Sequence, residues 1–281
     1  MNLKSLGYHF KEALLSKEPA RIYFLVQFLK KYPFFSFKFR LDLDAILYPP
    51  YAYGMYCSAL QARALGQSTI TALEFGVAAG QGLLQMESYA DQIKDELGVE
   101  FNIYGFDLGT GLPKSDDYRD QIYFWQEGDF RQDRDLLKQK LKNAEVIYGD
   151  VKDTVAKFFS NRALAPIGFI AFDLDFFSST QAALLIFNSN EKNYLPRVEC
   201  YFDDVNSSEL LCASSETGVL RAISMFNEEN KKKKILKKEG VEAFRRFPCP
   251  GWNNSMFIFH NFLHTSYNKH IAAPEGFQNS L

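Results

Sequence analysis

Only four cysteines occur among the 281 residues, at Cys57, Cys200, Cys212 and Cys249, and none stands in a CxxC or Cys/His spacing. That scatter excludes a structural zinc site and fits a reducing, cytoplasmic setting. An excess of either charge is also missing, with 32 Lys and Arg against 34 Asp and Glu and a net charge of -2. Phosphate neutralisation needs a basic face, so nucleic acid is not the expected partner. The one basic run, Lys231 to Lys234, follows "NEEN" in a helix-like polar stretch and reads as a solvated face. No apolar run approaches the roughly 20 residues of a membrane span. The nearest, Arg21 to Leu41, is broken by Lys30, Lys31, Pro33, Lys38 and Arg40. Its mixture of aromatic and basic residues allows peripheral membrane contact; packing on the core, covering an active site or meeting a second subunit are the other expectations. The polar, amphipathic "MNLKSLGYHFKEALLSKEP" lacks the ordered regions of a signal peptide. Internal repeats and low-complexity segments are absent too.

What is present is aromatic and alternating, with 27 Phe and 15 Tyr. The chain is long enough for one large α/β domain with an extension, or for two small domains. Beyond Gly66, short apolar runs alternate with longer stretches of helical spacing, which predicts βα units on a mainly parallel sheet. Strands are expected at 70–76, 100–107, 144–150, 167–175, 198–204 and 255–261. Helices are expected at about 80–97, 131–143, 151–162, 178–191 and 214–233. The first 65 residues read as a lid and subunit-contact extension that makes a homo-oligomer the expected assembly, and 66–281 as the main domain.

Strand after strand ends in an acid: Glu74, Asp107, Asp150, Asp173 with Asp175, and Asp203 with Asp204. Ligands of open α/β sheets bind at the carboxyl ends of strands, so a row of acids there predicts a site. The first strand leads into E-x-G-x-A-x-G-x-G, Glu74 to Gly82, with Gly76, Ala78 and Gly80 at every second position. A dinucleotide loop has G-x-G-x-x-G and receives a pyrophosphate. An acid at its head would repel that group and suits instead the amino acid and ribose of S-adenosylmethionine. Asp107 is placed to accept ribose hydroxyls, and Asp150 to meet the adenine amino group.

The segments "ALEFGVAAGQG", "YGFDLGTGLP", "YGDVKDTV", "IAFDLDFFSST" and "YFDDV" resemble, in order, the motifs of the macrocin-type sugar O-methyltransferases. The resemblance spans roughly Leu65 to Asn261. It implies a class I methyltransferase fold, a Rossmann-like seven-stranded sheet with helices on both faces, here with a helical N-terminal extension. It also implies transfer of a methyl group from S-adenosylmethionine to a sugar hydroxyl with the help of Mg²⁺.

A sugar hydroxyl is a poor nucleophile at neutral pH, and either a carboxylate base or a bound cation can activate it. Asp173 and Asp175, two apart, project to one face while the chain stays extended. Asp203 and Asp204 converge only if the chain turns at "DDVNSS". Several carboxylates in one pocket repel one another unless a cation joins them, and without His or Cys beside them Mg²⁺ is preferred to Zn²⁺. The resemblance assigns Asp173, Asp203 and Asp204 as metal ligands and Asp175 as general base, a division that spacing does not make. Leu174 and Phe176 depart from that family's usual Gly and Tyr, and "FDLGTGLP" stands where "FDTFEGLP" is common. Phe176 thereby loses a hydroxyl expected to orient a sugar.

His260 and His264 follow the last strand and are either structural or at the rim of the site. Tyr123 and Trp125 lie in an insertion that either stacks a sugar ring or packs elsewhere. The expected partner is a small-molecule or glycan acceptor. An NAD(P)-dependent oxidoreductase and a binding protein without turnover are the alternatives.

Overall fold

A computed structural model of the chain describes residues 20–32, 34–160, 164–205, 208–211, 214–244 and 251–272. Its centre is a pair of strands buried almost end to end, β1 (Thr69–Phe75) and β4 (Ile167–Phe172). Strands buried on both faces need helices above and below, which is what the βα alternation supplies. Beside them run β2 (Glu100–Asp107), β3 (Glu145–Tyr148), β5 (Tyr194–Phe202), β6 (Lys233–Lys237) and β7 (Met256–Asn261). The order across the seven-stranded sheet is β3-β2-β1-β4-β5-β7-β6. The first five strands are parallel, and β7 is antiparallel to both β5 and β6. Strand order reverses between β1 and β4, so the crevice at their carboxyl ends is where a ligand of such a sheet binds.

The helices are α1 (Ala20–Lys31), α2 (Phe37–Asp42), α3 (Pro49–Leu65), α4 (Gln81–Leu97), α5 (Arg134–Lys140), α6 (Val151–Phe158), α7 (Phe177–Leu184) and α8 (Gly218–Glu229). Alternation along the strands sorts them. Ala72, Ile103 and Phe169 face α3 and α4, while Leu73, Phe106 and Phe172 face α6, α7 and α8. Close packing of α3 needs a glycine, because a Cβ on Gly54 would lie 2.2 Å from the Phe169 ring. The expected boundary at 65/66 therefore falls at the end of a helix whose buried side belongs to the sheet's core.

Several boundaries differ from expectation. β5 starts at Tyr194 and accommodates Pro196 where its register with β4 shifts, since a proline cannot donate to a ladder. The helix expected at 178–191 ends at Leu184 and tightens into a 3₁₀ turn, Leu185–Asn188. α8 stops at Glu229, and Lys233 and Lys234 open the edge strand β6. The basic run is thus no continuous solvated face: Lys233 Nζ donates to the Phe187 carbonyl at 2.6 Å and Lys234 Nζ to that of Asn227. Among the described residues β6 pairs only with β7, and its sequence KKILK holds too few apolar residues to announce a strand. Of the cysteines, Cys57 and Cys200 are free thiols, and Cys212 and Cys249 lie outside the described residues.

Candidate active site

A cavity of about 300 Å³ opens at the carboxyl end of the sheet. Eight of the ten expected site residues line it: Gly76, Ala78, Asp107, Asp150, Asp173, Asp175, Asp203 and Asp204. Glu74 and Gly80 do not. Gly80 stands behind the loop with φ 83°, as the left-handed residue that starts α4, and a Cβ there would meet Leu137 at 2.1 Å.

The loop folds onto Asp107. One of its carboxylate oxygens accepts from the Val77 N–H at 2.8 Å and from the Ala78 N–H at 3.0 Å, and the other accepts from the Gly109 N–H. Two amides that a pyrophosphate would need are thereby already bonded. Gly76, at φ 84°, brings its backbone so near β4 that a Cβ would lie 1.6 Å from the Asp173 carbonyl. Ala78 takes φ 43° despite its side chain, and its carbonyl accepts from Gln132 Nε2 at 2.6 Å. Gln132 in turn accepts the Tyr148 hydroxyl at 2.6 Å, tying the loop to β3. Asp150 keeps its place at the cavity while its carboxylate caps α6 through the Lys152 N–H.

Glu74 departs from its expected contact with the ligand. It is 2% exposed and lies beneath the loop, against Gly82, where a Cβ would fall 1.7 Å from its Oε1. Tyr51 of α3 donates to Oε1 at 2.8 Å, and Oε2 is buried without a partner. Burial pushes its pKa up to about 8 against the opposing hydrogen bonds from Tyr51 and Leu83. Because β1 is covered on both faces, an acid inside it is enclosed whichever way it points.

The acid cluster forms by a different route from strand alternation. β4 ends at Phe172, so Asp173 and Asp175 lie beyond it, and Asp175 takes φ 60°. β5 ends at Phe202, and Asp203–Val205 make the turn that "DDVNSS" required. One carboxylate oxygen from each of Asp173, Asp203 and Asp204 falls within 4.8 Å of the others. Among the described residues no other group of three His, Cys, Asp or Glu converges in this way. Asp204 accepts the Asp175 N–H at 2.9 Å, and the Tyr201 hydroxyl donates to Asp203. Burial, then the charges of Asp203 and Asp204, hold the Asp173 proton well above the carboxylate range. Burial and Asp204 push Asp175 up to about 8.

The opposite wall belongs to the insertion between β2 and α5, through Leu112, Pro113, Trp125 and Phe130. Trp125 lines the cavity, whereas Tyr123 is 63% exposed. A 3₁₀ turn, Tyr118–Asp120, clips this insertion down. Asp120, 0% exposed, accepts from Ser115 Oγ at 2.6 Å and from the Ser178 N–H and Oγ of α7 at 2.7 and 2.8 Å. Nothing in the sequence marks Asp120, Tyr51 or Gln132, because each matters through a partner distant along the chain. Phe176 is buried at 1% exposure, so the hydroxyl it lacks would not have faced an acceptor. His260 pairs with Arg197, whereas Met256, at the other end of β7, pairs with Tyr201 next to the acids. His260 and its neighbour His264 therefore lie away from the cavity, and His260 bonds the Tyr267 hydroxyl at 2.8 Å.

The strand order and the cavity at its switch point are those of the class I methyltransferase fold. No protein-family model and no curated protein matches the sequence. Among solved structures, the O-methyltransferase NovP is similar at a TM-score of 0.50 with 10% identity, covering 76% of this chain and 80% of its own. The calicheamicin methyltransferase CalS11 is similar at 0.44 with 19% identity over 72% and 77%. An O-methyltransferase from Bacillus cereus in complex with SAH is similar at 0.41 with 14% identity over 84% and 95%. No helix among the described residues is long and apolar enough to cross a membrane.

Proposed function

We propose that the chain transfers the methyl group of S-adenosylmethionine to a hydroxyl, on a sugar of a glycosylated metabolite or surface glycan, and that Mg²⁺ assists. The observation that carries this reading is that the Asp173, Asp203 and Asp204 oxygens converge in the cavity beside a loop whose Val77 and Ala78 amides are already bonded to Asp107. A pyrophosphate would have to displace Asp107 from those amides, which speaks against a nicotinamide dinucleotide. NovP, whose fold this chain shares, is an O-methyltransferase.

The residues suit both groups. The cluster is all oxygen, without His or Cys, and burial together with the charges of Asp203 and Asp204 holds the Asp173 proton tightly, a penalty that a hard divalent cation would relieve. The turn at Gly76 and Ala78 brings no side chain larger than a methyl group to the cavity, with Asp107 and Asp150 to meet hydroxyl and amino groups. When bound, S-adenosylmethionine supplies an electrophilic methyl group and Mg²⁺ a charge that favours the ionised hydroxyl. The chain's own part is to position and deprotonate. Asp173, Asp203 and Asp204 hold the cation, and Asp175 removes the acceptor's proton from within the same cavity. Leu112, Pro113, Trp125 and Phe130 close the other side against water. Residues 66–281 form the methyltransferase domain in this reading, with 1–65 the extension.

Calorimetric titration with S-adenosylhomocysteine, in Mg²⁺ and again in EDTA, tests the proposal. Binding in both buffers is expected, and absence from both removes the methyltransferase reading. In an acceptor screen with methyl-labelled S-adenosylmethionine, Asp175→Asn is expected to lower turnover by about 10²–10⁴-fold with S-adenosylhomocysteine affinity retained; wild-type turnover in that variant takes the base role from Asp175.

A further inference from the structure

α1 turns its apolar side outward. Arg21, Phe24, Leu25, Phe28, Lys31 and Tyr32 recur at helical spacing and form one stripe, and all six are exposed, Phe28 to 49%. The other side is the anchored one: Leu29 is buried with Leu43 and Ala45, and Val26 and Phe39 pack against them. Past the helix the stripe runs on into Phe34, 78% exposed, and Phe35, 50% exposed. Single apolar residues on a surface need no explanation, but a contiguous patch marks something that covers it.

Charge selects the occupant. No acid occurs in α1 or from there to Leu41, while Arg21 and Lys31 stand at the two ends of the stripe. Pairing two such helices antiparallel sets Arg21 of one copy against Lys31 of the other, and pairing them parallel sets each cation on its like. Within the α1 stripe neither arrangement offers a carboxylate in return. An anionic headgroup layer does, and it lets long cationic side chains stay at headgroup level while the rings enter the acyl boundary. We propose that the exposed face of α1, continued by Phe34 and Phe35, docks the protein on an anionic lipid surface. Twelve residues make a helix about 18 Å long, which lies along a bilayer and does not span it. This inference is independent of the reaction proposed above.

The test is co-sedimentation of the full chain with phosphatidylcholine vesicles, with and without phosphatidylglycerol. Binding is expected to favour the anionic vesicles by about tenfold or more at low salt and to weaken as salt rises. The double substitution Phe24→Ser/Phe28→Ser is expected to abolish binding. Arg21→Glu/Lys31→Glu is expected to abolish the preference for phosphatidylglycerol. Both alter exposed side chains, so unchanged far-UV circular dichroism and thermal melting accompany a true loss. Failure to sediment with anionic vesicles overturns the proposal, as does binding that neither variant changes. A dimer by light scattering that Phe24→Ser/Phe28→Ser converts to monomer, without vesicle binding, assigns the face to a second copy instead.

Discussion

Glu74 illustrates how one side chain can tie stability to pH. Its folded pKa of about 8 stands above the unfolded value of about 4.3, so the folded protein binds the proton more tightly. The stabilisation is fully present below about pH 4.3 and is lost as pH rises through about 8, a change of order a few kcal/mol. Glu74→Gln keeps an acceptor for Tyr51 and removes the titration. In metal-free protein the wild-type Tm is expected to fall more steeply than that of Glu74→Gln between about pH 5 and pH 8. Parallel curves would mean that Glu74 does not hold its proton in the fold. Asp107 makes the opposite point about a single acid: expected to face only a ligand, it organises the loop first, and what remains of its oxygens faces the cavity.

At the scale of elements, the insertion between β2 and α5 is fastened to α7 through one buried carboxylate. Asp120 joins it to the start of α7, two residues beyond the buried Phe176 and three beyond Asp175, and Arg119 on the same turn lies 4.2 Å over the Phe177 ring. The wall carrying Trp125 is thereby fixed relative to the proposed base. Asp120→Ala strands the Ser178 N–H and costs about 1–3 kcal/mol locally. Limited proteolysis is expected to cut within residues 108–132 at least about fivefold faster in that variant, with far-UV circular dichroism kept. An unchanged cleavage pattern would show that the insertion stands without its clip. β6 is the element least visible in the sequence, since Lys233–Lys237 has one neighbour and a half-exposed surface.

For the whole molecule, the acid cluster sets β4 and β5 against each other at their carboxyl ends. A cation that binds the folded chain stabilises it by about 2.7 kcal/mol at a hundredfold excess over Kd. For a chain of this size that is roughly 4–5 °C in Tm. Mg²⁺ is expected to raise the melting temperature over EDTA by such an amount, and Asp203→Asn/Asp204→Asn to remove the rise. A melting temperature indifferent to Mg²⁺ would leave the cluster without its proposed ion.

What the sequence by itself determined follows from short-range chemistry. Apolar runs located β1 and β2 almost to the residue and β4 at its start, though β4 ends at Phe172, short of the acids expected to close it. The small residues from Gly76 to Gly80 located the loop, because burial and backbone freedom are properties of each residue with its neighbours. The same patterns picked out eight residues that line one cavity. Tertiary structure decided the rest. It enclosed Glu74 under α3, committed Asp107 to the loop amides, carried His260 away from the site, and brought Asp203 and Asp204 to Asp173 by ending two parallel strands side by side. These outcomes depend on which strands are neighbours and on what covers them, and a linear pattern of residue types does not contain that order.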